Sequence, residues 1–138
     1  MSLYEVLAAF VGEAFEADAR PDDGLLVFPV AGDNGAWTAI AQAREPQRQA
    51  LLYSIADVVV PEDRRAEAAL LLARLNWGLP TGTFELDLDD GQVRLRTSVD
   101  VGAADLTPDL LKPLLIANLT LMDRHLPAIR ALAGGDGA

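Results

Sequence analysis

RLNWGLPTGTFELDLDDGQVRLRTSVD, residues 74–100, is the stretch that decides the architecture. Phe84, Leu86 and Leu88 alternate with Glu85, Asp87 and Asp89, and Val93, Leu95 and Val99 alternate with Arg94, Arg96 and Ser98. Period-two alternation marks half-buried strands. Asp90-Gly91 between them is a favoured two-residue hairpin loop, because a type I′ turn needs positive φ at both central positions. Closing the hairpin there predicts Leu88 opposite Val93 and Leu86 opposite Leu95, with Asp87 opposite Arg94 and Glu85 opposite Arg96 on the other face. Opposite charges across such a pair add roughly 0.2–1 kcal/mol each and resist a one-residue slip.

Working outward, Gly78 and Pro80 stop a helix that opens at Pro61-Glu62-Asp63 and runs to Trp77; proline and acids suit a first turn, and glycine suits a C-terminus. Before it, residues 49–60 (QALLYSIADVVV) read as a strand that is apolar on both faces. Leu51, Tyr53 and Ile55 lie on one face, and Leu52, Ala56, Val58 and Val60 on the other. A strand of this kind is central in its sheet, or one of its faces is covered by something outside the sheet. LLVFPV (25–30) and AWTAIAQAR (36–44) flank Gly32-Asp33-Asn34-Gly35 as a further hairpin. Pro29 lacks a ladder donor, which places it at a sheet edge or a bulge. Leu3, Val6, Leu7, Phe10, Val11, Ala14 and Phe15 recur at helical spacing behind Ser2, a residue suited to N-capping.

Downstream, Thr107-Pro108-Asp109 opens a last helix, in which Pro113 and Pro127 are expected to kink the helix or to divide it. Residues 134–138 read as a disordered tail. The predicted order is α-β-β-β-α-β-β-α: an α+β domain over residues 1–133, with a five-stranded, mostly antiparallel sheet and helices packed on one side.

The chain has 138 residues, no cysteine and a net charge of −10. Disulfides and thiolate chemistry are excluded, and the acidic balance argues against nucleic acid and anionic membranes as partners. Apolar residues make up 51% of the chain, yet no run approaches the ~18 residues of a membrane span. The N-terminus carries glutamates and no basic segment, so a cytoplasmic location is expected.

Chemical motifs are scarce. Asp87-x-Asp89-Asp90-Gly91 resembles the start of a calcium loop, but the twelfth position, where a bidentate glutamate belongs, is Ser98. A solvated hairpin face explains these acids. Glu62, Asp63 and Glu67 suit a helix N-terminus. The single histidine, His125, has no serine and carboxylate in a recognisable order. No catalytic set, metal or cofactor is therefore expected.

The last helix is unusual. Plotted at 100° per residue, Leu121, Leu114, Leu111, Ile129, Met122, Leu115, Leu126 and Leu119 cover roughly 160°, wider than the ~100° one core contact needs. Asn118 and His125 fall inside that arc. Either they are polar residues satisfied by backbone or by each other, or part of the arc meets a second subunit with Asn118 setting register. Leu111, Leu115, Asn118, Met122 and His125, with Leu51, Tyr53 and Ile55, are accordingly the candidate dimer or partner interface. Trp37 and Trp77 are expected in the core.

VVVPEDRR (58–65), residues 74–100 and LTPDLLKPLLIANLTLMDRHLP (106–127) together resemble bacterial YbjN-type proteins, a family labelled as sensory transduction regulators. The most family-like run is Asn76-x-x-Leu79-x-x-Gly82-x-Phe84-Glu85-Leu86-Asp87, followed by Asp90-Gly91 and Arg94-x-Arg96. The resemblance spans roughly residues 50–127 and implies a fold similar to the type III secretion chaperones, which are small, acidic and dimeric and hold extended client segments on apolar surfaces. It implies no catalytic residues. The expectation is a non-enzymatic, homodimeric, chaperone-like or adaptor module that binds a protein partner. The alternative is a regulatory small-molecule sensor with Asn118 and His125 in its pocket.

Overall fold

Ser2 starts the first helix, α1 (Leu3–Gly12): its hydroxyl accepts the Glu5 N–H while the Glu5 carboxylate accepts the Ser2 N–H, a reciprocal capping box. The computed structural model describes residues 1–134. Its further elements are β1 (Asp18–Arg20), β2 (Leu25–Gly32), β3 (Gly35–Arg44), β4 (Gln49–Val59), α2 (Arg65–Trp77) entered through a 3-10 turn at Glu62–Arg64, β5 (Thr83–Leu86), β6 (Gln92–Asp100) and α3 (Pro108–Ala133). Of the tail read over 134–138, Gly134 caps α3 in the left-handed conformation, and residues 135–138 lie outside the described residues.

The strands form one antiparallel sheet in the order β1-β2-β3-β4-β6-β5. The α+β class and the one-sided helices are as expected, but there are six strands, not five. The extra strand, β1, has three residues, all exposed, so no alternation announces it. It pairs only with residues 25–27 of β2, which leaves Pro29 where β2 has no outer neighbour and its missing donor is harmless. β4 is central, between β3 and β6.

The β5–β6 hairpin forms two residues out of the predicted register. Leu86 faces Val93, Phe84 faces Leu95, Glu85 faces Arg94 and Thr83 faces Arg96. A shift of two keeps every side chain on its predicted face, so the pattern alone could not detect it. The loop is longer because its aspartates cap it locally. Asp87 Oδ1 accepts the Asp89 N–H, Asp90 Oδ1 accepts the Gln92 N–H, and the Asp87 carbonyl accepts the Gly91 N–H. Gly91 (φ +83°) then lies against Val60, whose carbonyl oxygen would be 2.1 Å from an added Cβ.

α3 is one continuous helix through both prolines, contrary to the expected break. Pro127 deprives the Asp123 carbonyl of its helical donor. The Asn34 side-chain amide replaces it at 3.0 Å, and the Asp123 carboxylate accepts the Asn34 N–H at 2.8 Å. The hairpin tip 32–35 is thereby docked on α3. Apolar residues on either side of Pro127, Leu126 and Ile129, are fully buried, so tertiary packing holds the helix together. Trp37 is in the core as predicted, but Trp77 is 93% exposed at the end of α2.

Candidate functional site

β4 separates two environments. Its inner residues Ala50, Leu52, Ser54 and Ala56 are buried beneath the helices, in the cluster that contains Leu7 of α1, Leu72 of α2 and Leu111, Met122 and Leu126 of α3. Asn118 lies at the centre of this layer, 1% exposed. Its amide donates to the Leu52 and Leu95 carbonyls and to Thr97 Oγ1, and its oxygen accepts the Ser54 hydroxyl at 2.6 Å. Ser54 accepts the Trp37 indole N–H, and Thr97 donates to the Leu114 carbonyl. No buried side-chain polar atom among the described residues lacks a partner. Every hydrogen-bonding group of Asn118 is committed within one chain, so Asn118 joins α3 to β4 and β6 and cannot mark a subunit seam.

Most of the apolar arc of α3 is therefore internal. Leu111, Asn118 and Met122 belong to the core of the single chain and are withdrawn as interface residues. Leu115 is half-buried against the same core. His125 is half-buried with its ring edge-on to Phe84, 5.6 Å between centroids. Burial, and then the adjacent Arg124 charge, holds its pKa below the ordinary histidine value. The pocket expected around Asn118 and His125 does not form, because Asn118 is sealed.

The outer face of β4 is different. Tyr53 and Ile55 are half-buried and Leu51 is shielded by its neighbours, yet none of the three belongs to the core cluster. Cross-strand register extends them into rows: Val27, Ile40, Tyr53 and Arg96 in one, and Pro29, Thr38, Ile55, Arg94 and Glu85 in the next. The described helices all pack on the opposite face. At the β6 end, the Arg94 guanidinium lies 4.4 Å from the centre of the Tyr53 ring, a cation–π distance. Arg94 and Arg96 share the one carboxylate of Glu85, at 2.7 and 3.3 Å. The apolar rows thus end in paired charge, with the Asp87 carboxylate lining the same depression as Glu85 and Arg94.

A second apolar surface was not read from the sequence. Ala66, Leu70, Ala73 and Trp77 share one exposed side of α2 within about 60° at 100° per residue, with Leu70 66% exposed. α2 is apolar on its buried side as well (Ala68, Leu72), so its hydrophobic pattern has no preferred direction, and that absence of amphipathicity was the available signal. A third feature is a groove between residues 78–81 and α3. Among the described residues, no cluster of histidine, cysteine or acidic side chains could hold a metal ion, and no helix is long and apolar enough to cross a membrane.

The family described as "YbjN: Putative bacterial sensory transduction regulator" matches residues 2–131. Three solved structures share the fold. The ExsC–ExsE complex matches at 20% identity, covering 94% of this chain and 97% of that chain, with a TM-score of 0.65. YbjN from E. coli matches at 14% identity, covering 92% and 90%, with a TM-score of 0.71. The HopA1–SchA chaperone–effector complex matches at 16% identity, covering 94% and 91%, with a TM-score of 0.54. No curated protein matches the sequence.

Proposed function

Since the chain belongs to the YbjN family, and since its own helices leave one face of its sheet open, we propose that it is a non-enzymatic protein-binding module, chaperone-like or adaptor in role. The observation that carries this reading is the outer face built from Val27, Ile40, Leu51, Tyr53 and Ile55. The occupant is an apolar segment of a protein partner. Likeness of fold to the ExsC–ExsE and HopA1–SchA complexes supports a protein as the occupant.

The working unit in this reading is a homodimer in the cytoplasm. A two-fold copy of α2 running antiparallel would set Trp77 against Ala66 and Leu70 against Ala73, large against small, as a self-complementary contact requires. Such a contact is expected to give a solution mass of about twice 14.7 kDa, and Leu70→Glu is expected to return it to the monomer value with the fold intact.

The binding claim is tested by pairing Ile40→Glu with Ile55→Glu, two outer-face changes that leave the core untouched. The double variant is expected to remain folded, with a melting temperature lowered by no more than the partial burial of two side chains costs, and to lose the specific protein that the wild type captures. Equal recovery of that protein by both forms would refute the assignment of this face.

A further inference from the structure

We infer that the groove between the 78–81 loop and α3 is a binding site for a small apolar monocarboxylate, independent of the protein-binding face. The groove has a volume of about 570 Å³ and is lined by Leu79, Pro80, Pro113, Ile116 and Leu121, with Arg124 as its one charged residue. That volume is within the ~300–1,000 Å³ typical of small-ligand sites, which combine an apolar lining with a few placed polar groups. Ile116, on α3, is 55% exposed, apolar surface that folding does not use, while Leu121 belongs to the core beneath the groove.

The wall opposite α3 is held in place. Asn76 accepts the Phe84 N–H at 2.8 Å and donates to the Phe84 carbonyl at 3.0 Å, fixing the base of the loop. Gly82 (φ +94°) lets the loop close on α3, where an added Cβ would lie 3.1 Å from Leu121 Cδ1. Of the family-like run, Leu79 lines the groove, and Asn76, Gly82 and Phe84 fix the loop that carries it.

The chemistry of the lining selects the ligand. Arg124 has no carboxylate or carbonyl partner among the described residues, and the preceding Asp123 is turned away to hold Asn34. An unpaired guanidinium beside an apolar trough complements one carboxylate attached to an alkyl or aryl body. An extended peptide is a poor fit. Pro80 and Pro113 offer no N–H, the α3 amides are used within the helix, and Asn76 already occupies the backbone groups of Phe84 on the sheet edge, which strand addition would need.

The test is titration of the full chain with octanoate, octanol and octylamine, followed by amide chemical shifts. Octanoate is expected to perturb residues 79–82 and 113–124 saturably, and octylamine is expected not to bind. Arg124→Gln should weaken octanoate at least five-fold while leaving octanol unchanged, and Ile116→Glu should abolish both. The inference is overturned if octanoate fails to saturate, if wild type and Arg124→Gln bind it equally, or if the shifts fall on the outer sheet face.

Discussion

The two faces of β4 use almost the same residue types to opposite ends. Leu52, Ser54 and Ala56 look inward and are closed over by helices, and the one polar side chain donated to that layer by α3, Asn118, has every group satisfied. Leu51, Tyr53 and Ile55 look outward to a surface that the described helices do not cover. Apolar content alone therefore does not separate a residue that the fold covers from one that it leaves open. What separates them is whether the same chain supplies the other side of the contact.

The sharpest way to break this contrast is Asn118→Ala. It strands the Ser54 hydroxyl, loses donors to two buried strand carbonyls and opens a small cavity, and is expected to cost about 3 kcal/mol in chemical denaturation. A loss below 1 kcal/mol would mean that the inner network is not what holds α3 to the sheet. Gly91→Ala comes next, at about 2 kcal/mol. It combines left-handed strain with a clash against the Val60 carbonyl, and a silent change would show that the inner side has slack. On the outer face, Tyr53→Ser should cost at most about 1 kcal/mol, through partial burial and the Arg94 stacking. A larger loss would make that face part of the fold.

The smallest effect concerns His125. Its native pKa is lowered by burial and by Arg124, so below the ordinary value of ~6.5 the unfolded chain binds the proton more readily. Its contribution is complete above that pH and is lost as pH falls towards the lowered native value. The stability difference between wild type and His125→Gln, followed from pH 7.5 to 5.5, should shift against the wild type on acidification. A difference that stays flat would contradict the assignment.

Much of this architecture was legible in the residues. Ser2 announced a helix N-cap, Thr107 and Pro108 a helix start, and alternation placed the apolar and charged residues of β6 on their proper faces. Local signals failed where distant atoms intervene. The β5–β6 loop is capped locally by Asp87 and Asp90, but it is also docked through Gly91 on Val60, 31 positions away in the chain. Helix α3 survives Pro127 because Asn34, from a hairpin tip, supplies the missing donor. At the candidate site, Tyr53 and Ile55 stand out in the sequence because a central strand that is apolar on both sides has one side more than the described helices cover. Leu111 and Met122 were misassigned because an arc of 160° looks too wide for one contact, whereas α1, β4 and β6 all pack around α3. Trp77 and Leu70 were missed because exposure leaves no periodic trace when the buried side is equally apolar.

The central claim, that the outer sheet face is completed by another protein, is tested most directly by a photo-crosslinking amino acid placed at position 55 and, as a control, at exposed position 131 on α3. In cells, position 55 should yield a covalent adduct with a distinct protein, and position 131 should not. Absence of an adduct at 55, or equal adducts at both positions, would contradict the account.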